Sequence, residues 1–202
     1  MATKKGNPQN HPEKGSQIRV EPIKKLEDIK AIKKFLSGKP RDLLLFTMGI
    51  NNGLRISDLL SIKVAQVRHL KPGEYINIKE SKTGKQNILM VNKAVHKALK
   101  NYLDTAQPDD EEYLFASRQG GERPVTAQRV HQMVKSWTKA FNLPGNYGTH
   151  TLRKTFGYIQ RTHYGTGFEI LAKRFNHNSP AVTMRYLGLS SDEVNGILLN
   201  EI

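Results

Sequence analysis

The chain has 202 residues, 37% hydrophobic and 25% charged, with a formal net charge of +14 and no cysteine. That length supports one domain with a buried core, and the missing cysteines exclude a disulfide framework, a thiolate zinc site and a thiol nucleophile while fitting a reducing cytoplasm. So lopsided a charge points to nucleic acid or an anionic membrane, and because Lys and Arg are spread from Lys24 to Arg185 rather than gathered on one amphipathic helix, nucleic acid is favoured.

Residues 1 to about 17 are polar and rich in Lys, Asn and Pro. They lack the apolar core of a secretory signal and are expected to form a disordered tail. No run approaches the roughly 18 apolar residues of a membrane span. From Leu26 the period turns helical, with Leu26, Ile29, Ile32, Phe35 and Leu36 on one stripe and Ser37-Gly38 ending it. A second helix follows Pro40, carries Leu43, Leu44, Phe46, Thr47 and Ile50, and ends at Asn51-Asn52-Gly53. A short third runs from about Ile56 to Ser61.

The period then changes. "EYINIK" and "QNILMV", separated by "ESKTGKQ", predict a β-hairpin with its tip near Thr83-Gly84, and Val64 to Val67 are expected to add a third short strand. Helices resume over about 92–104 and 126–141. The latter sets Val130, Met133, Val134, Trp137 and Phe141 on one face, a core face rather than a platform for stacked bases. After "LPGNYG" a helix begins at "THTLRK"; others cover about 168–175, the stretch opened by Ser179 as N-cap and Pro180 at the first helical position, and about 192–200. The expected class is mainly α with a small antiparallel β-sheet (α+β), as a tail over 1–20 and one folded domain over 21–202.

Several chemistries have no motif here. None of the seven histidines has HExxH spacing, no GxxxxGK[ST] loop or GxSxG elbow occurs, and "GTGFEI" lacks the third glycine of a dinucleotide loop. No metal and no nucleotide cofactor are expected.

The remaining candidates sit beside element ends: Arg55 in "GLRISDLL", Lys82 in "ESKTGK", His150 and Arg153 in "THTLRK", His177 in "FNHNSP", and Tyr186 in "TMRYLG". Singly, each has an ordinary explanation. Arg55 pairs with Asp58 one turn on, Lys82 is a solvated turn lysine, His177 ends a helix, and Tyr186 is one of seven packing tyrosines. On its own stretch the His150–Arg153 pair also reads first as chance basic residues on a surface helix, but it has a sharper competing reading. It adds basic groups where a helix already presents a partial positive charge, which is the make-up of an anion site.

Together and in order, "GLRISDL", "SKTGK", "HTLR", "FNH" and "RYLG" resemble the tyrosine recombinases of the phage-integrase type, over about residues 22–202. The resemblance implies a tyrosine-recombinase catalytic domain that cleaves and rejoins DNA through a 3′-phosphotyrosine, without metal or ATP. It implies Tyr186 as nucleophile, Arg55 and Arg153 as forks on the non-bridging oxygens, and Lys82 as general acid. His150 would assist proton transfer at Tyr186, His177 would hydrogen-bond the phosphate, and Asp58 would support Arg55 or a nearby helix end. The implied partners are double-stranded DNA and further copies of the chain, as a tetramer on synapsed DNA docked through a C-terminal helix over 190–202. That segment carries Val194, Ile197, Leu198 and Ile202 at helical spacing. The implied setting is cytoplasmic and away from membranes.

This sequence departs from the family pattern in four ways. Asn176 precedes His177 where Gly is usual, Lys154 follows Arg153 where His is common, and Asp58 replaces Glu. Some twenty polar residues also stand where a separate N-terminal helical domain is usual, so weak autonomous DNA binding is expected. Two other readings use the same residues: a type IB topoisomerase-like relaxing enzyme and a non-catalytic DNA-binding module. The module reading leaves Tyr186 and Lys82 without a purpose.

Overall fold

The structure, a computed structural model, describes residues 20–117 and 120–188. The polar tail and the helix expected over 192–200 lie outside the described residues.

Helix α1 (Leu26–Phe35) buries Ile29 and Ile32, while Phe35 lies at its rim and meets the edge of Phe141. Helix α2 (Pro40–Asn52) starts with Pro at its first positions and stops at Gly53, a left-handed C-cap at φ +60. Its centre is fully buried, with Leu44, Leu45, Phe46 and Met48 at 1% exposure or less. It lies against α5 (Lys93–Ala106) and α7 (Thr149–Thr162). The approach to α7 is close: a Cβ on Gly49 would stand 2.7 Å from Leu152 Cδ1. Asn92 caps α5 by accepting from the Val95 N–H at 2.9 Å, and Thr126 caps α6 (Ala127–Lys139) from the Arg129 N–H at 3.1 Å.

The expected hairpin is present as β1 (Tyr75–Lys79) and β2 (Gln86–Met90), antiparallel, with Ile76 opposite Leu89 and Ile78 opposite Asn87. Its tip closes through the Glu80 N–H on the Lys85 carbonyl and the Gly84 N–H on the Glu80 carbonyl, with Gly84 at φ +67. The short α3 (Ile56–Leu60) precedes it.

Two sequence expectations fail here. Val64–Val67 is not a strand but a helical turn, α4. Two fully buried valines three apart share one helix face, whereas in a strand they would point to opposite faces, and the Gln66 side chain accepts from the Lys63 N–H at 2.8 Å to close the turn. Strand character there reduces to a single bridge between Lys63 and Tyr113. A second hairpin, β3 (Ala116–Ser117) with β4 (Gly120–Pro124), was not foreseen, because "GGERP" shows no apolar alternation.

The remaining helices are α8 (Phe168–Phe175) and α9 (Pro180–Leu187), and Ser179 caps α9 by accepting from the Val182 N–H. They do not join the main core, which runs from Ile23 through Trp137 to Leu152. Leu171, Phe175 and Leu187 form a small cluster of their own, with Phe156, Phe168 and Tyr186 packed against it. Helix α7 serves both clusters. A Cβ on Gly157 would stand 2.7 Å from Leu187 Cδ2 and 2.7 Å from Phe175 Cζ, so α9 and α8 lean directly on its backbone. Among the described residues no helix is long and apolar enough to cross a membrane.

Candidate active site

The site is assembled where helix ends from the two clusters meet. Gly53 ends α2 in a conformation L side chains rarely adopt, and a Cβ there would overlap the Phe156 ring. The chain then extends through Arg55, the N-cap of α3, whose guanidinium donates to the Glu80 carboxylate. Glu80 sits at the root of the hairpin tip and is 1% exposed. Its carboxylate also accepts from Thr83 Oγ1 at 2.6 Å and from Asn87 Nδ2 at 2.8 Å. Burial favours the neutral acid, but the hydrogen bonds from Thr83, Asn87, Asn176 and Arg55 outweigh it and hold the group at about 2.

Asp58 lies in α3 beside Arg55. It is fully buried, and its Oδ1 accepts from the Ser81 N–H at 2.9 Å, so it anchors the hairpin. The carboxylate partner of Arg55 is Glu80. Asp58 Oδ2 has no hydrogen-bond partner among the described residues.

The far side of the hairpin is fastened to the end of α8. Arg174 donates to the Asn52 carbonyl through Nε at 3.0 Å, to Asn87 Oδ1 at 2.7 Å and to the Ile88 carbonyl at 3.0 Å. Asn176 caps α8 at φ +54, in the left-handed region that Asn tolerates and Gly favours. Its side chain donates to the Gln86 carbonyl at 3.1 Å, a bond glycine would lack.

Helix α7 begins at Gly148, which is extended there, with Thr151 Oγ1 accepting from the Gly148 N–H at 3.0 Å. Its first turn carries His150 and Arg153. Arg153 is only 3% exposed. It donates to the Gly53 carbonyl at 2.6 Å and the Phe175 carbonyl at 2.7 Å, and its guanidinium lies 4.6 Å from the Phe175 ring centroid. His150 keeps an exposed edge and sets Nδ1 3.4 Å from the Tyr186 hydroxyl.

Tyr186 stands on α9, one residue before the Leu187 that rests on Gly157. Its ring meets His177 at 5.2 Å and Phe175 at 5.7 Å, both edge-on. The Lys154 ammonium covers the ring at 5.0 Å from the centroid. His177 is oriented by a 2.9 Å contact between Nδ1 and Thr183 Oγ1. Lys82, on the exposed hairpin tip, has no hydrogen bond or ion pair among the described residues, yet its charge reaches His150.

Burial raises Tyr186 to about 12, against the pull of the Arg153 and Arg55 charges and a hydrogen bond from Arg153. Burial lowers His177 to about 4, helped by Arg153 and Arg55. Burial also lowers His150, with Arg153, Lys154, Lys82 and Arg55 adding to the shift. At neutral pH the site therefore holds a neutral phenol beside two neutral imidazoles, ringed by guanidinium and ammonium groups. An anion docked beside the hydroxyl meets forked donors, and an imidazole free to take a proton is already in reach.

Arg55, His150, Arg153, His177 and Tyr186 thus come together, with Lys82 at the edge. Sequence reasoning missed Glu80, Asn87 and Arg174. A hairpin "KES" and an "AKRF" helix end read as solvated surface, and no spacing marks them out. Among the described residues, no three His, Asp or Glu side chains gather as a metal site would require.

Known proteins resemble this chain to different extents. Residues 21–193 match the profile of the phage integrase family. The chain is 36% identical over 176 residues to the probable integrase/recombinase YoeC of Bacillus subtilis, covering 86% of this chain and 92% of that one. It is 26% identical over 175 residues to the tyrosine recombinase XerC of Caldanaerobacter subterraneus, covering 84% of this chain and 48% of that protein. Among solved structures, the XerA recombinase superposes with a TM-score of 0.71 at 21% identity, over 95% of this chain and 68% of that one. XerH bound to a palindromic difH substrate gives 0.72 at 18% identity, over 92% and 53%.

Proposed function

The chain belongs to the phage integrase family, and on that premise we propose that it is a tyrosine-type, site-specific DNA recombinase whose nucleophile is Tyr186. The Tyr186 oxygen attacks the scissile phosphorus, and its proton passes to His150 Nδ1. The bond from phosphorus to the 5′ oxygen breaks, and that oxygen takes a proton from the Lys82 ammonium. The products are a 3′-phosphotyrosyl linkage and a free 5′-hydroxyl. The same steps in reverse join a 5′-hydroxyl from another strand. The linkage conserves the energy of the broken bond, so no nucleotide triphosphate is consumed.

Enzymes on such reactions supply about 8–23 kcal/mol of barrier lowering. In this reading that comes from fixed charge: Arg55 and Arg153 on the non-bridging oxygens, His177 as a further donor, and the N–H groups opening α7. Arg153 spends two of its five N–H groups on carbonyls, and the others face Tyr186 and an anion docked beside it. The observation that carries the reading is the Tyr186 hydroxyl, 3.4 Å from His150 Nδ1 and within the field of both arginines. We also assign residues 190–202 to docking on a neighbouring copy, giving a tetramer on paired DNA sites.

The test is a nicked duplex carrying a target site, quenched in detergent. Wild-type protein should form a covalent adduct, equally well with and without EDTA. Tyr186→Phe should bind the duplex and form none. An adduct in Tyr186→Phe overturns the choice of nucleophile, inhibition by EDTA overturns the metal-free chemistry, and relaxation of plasmids that lack any target site would favour a topoisomerase.

A further inference from the structure

We propose that Glu80 is a positioning residue that ties the phosphate-binding Arg55 to the hairpin bearing Lys82, so that the two groups act in one register. The inference rests on Lys82 as proton donor to the leaving oxygen.

Arg55 and Lys82 belong to different elements and have no bond to each other among the described residues. Glu80 joins them. One carboxylate accepts from the α3 cap through Arg55, from the hairpin tip through Thr83, and from strand β2 through Asn87. The tip itself, residues 81–86, is exposed throughout. Besides the backbone bonds of the turn, it is held by the Thr83 contact, the Ser81 N–H on Asp58, a 3.1 Å bond from Asn176 to the Gln86 carbonyl and a 3.3 Å bond from Lys85 to the Asn176 carbonyl. Charge argues the same way. A buried carboxylate beside a phosphate site repels the phosphate, so anion affinity alone does not explain its presence. Geometry does: every partner of Glu80 is a donor, and only an ionised carboxylate accepts from them all. Glutamine would set an amide N–H₂ against those donors.

The experiment is single-turnover cleavage of nicked duplex, once with the ordinary phosphodiester and once with sulfur replacing the bridging 5′ oxygen. A thiolate leaves without being protonated, so a defect in proton delivery disappears on that substrate. On the oxygen substrate Glu80→Gln should slow cleavage at least roughly tenfold, a part of the roughly 10²–10⁴-fold that a general acid contributes, with no loss of duplex affinity. On the sulfur substrate it should return close to wild type. The double variant Glu80→Gln with Lys82→Ala should be no slower than Lys82→Ala alone, as expected of coupled residues. Thr83→Val, on an exposed residue, should show the same pattern more weakly and serves if Glu80→Gln does not fold. A defect that persists on sulfur and adds to that of Lys82→Ala overturns the inference. If Lys82→Ala itself is not restored by sulfur, the proton-donor reading falls, and the inference with it.

Discussion

Arg153 donates to the carbonyl of Gly53, a hundred positions earlier in the chain, over 2.6 Å. Its second bond goes to the carbonyl of Phe175. Both carbonyls end helices, α2 and α8, where backbone oxygens lack partners and the helix dipole is negative. A buried guanidinium is costly unless it is paired. Here its partners are two helix C-termini from the two hydrophobic clusters, so the group we assign to the phosphate also fastens the halves of the site together.

Arg153→Lys should fail at both tasks. One ammonium cannot span two carbonyls and still offer a planar fork. The rate of adduct formation should fall by at least about 10²-fold, as for a lost oxyanion donor. Leaving one buried carbonyl unpaired should lower stability by about 1–3 kcal/mol. Quench kinetics and urea unfolding measure the two effects separately, and a variant that is stable and active would remove Arg153 from the centre of the site.

The pH dependence of stability should carry the mark of His177. Its ordinary value of 6.5 drops to about 4 in the fold, chiefly through burial. Below 6.5 the unfolded chain takes up a proton that the folded chain refuses until about 4. The stabilisation of the neutral ring is complete above that window and is lost as pH falls through it. Urea midpoints should therefore decline on acidification across the window, and less steeply in His177→Gln. An unchanged slope in the variant would place the acid sensitivity elsewhere.

Deleting residues 190–202 should separate chemistry from assembly. Tyr186 and its neighbours are positioned by α7, α8 and α9, so the shortened chain should fold and still form adduct on nicked DNA. It should lose higher-order complexes on paired sites, and strand exchange with them. Light scattering of the DNA complexes and a two-site recombination assay report this. Normal recombination by the shortened chain would end the docking role, and failure to fold would place the segment in the chain's own core.

What was legible in the sequence follows from how locally each group is held. His150 and Arg153 share one helix turn, and Tyr186 follows a serine cap and proline, so short strings carried them. The period-two pattern around "ESKTGKQ" placed the hairpin for the same reason. Glu80, Asn87 and Arg174 owe their roles to partners distant in the chain, such as Arg174 on Asn52, 122 positions away. Asp58 looked like a partner for Arg55 because it is near in sequence, whereas the hairpin delivers Glu80 to that place from 25 positions on. Val64–Val67 was misread because β-branched residues mark strands only on average, and two buried valines three apart also fit a helix.

The missing Cβ of Gly157 works as a gauge. His150 and Arg153 ride near the start of α7, Gly157 lies farther along the same helix, and Leu187, next to Tyr186, rests directly on it. The spacing between hydroxyl and basic pair is thus set by one helix and the side chains packed on it rather than by a loop. A single methyl group at that contact has nowhere to go and would have to displace α8 or α9. Since displacements of about 1 Å are enough to cost a reaction on the order of 10²-fold, the tolerance of the whole site is narrower than one carbon atom.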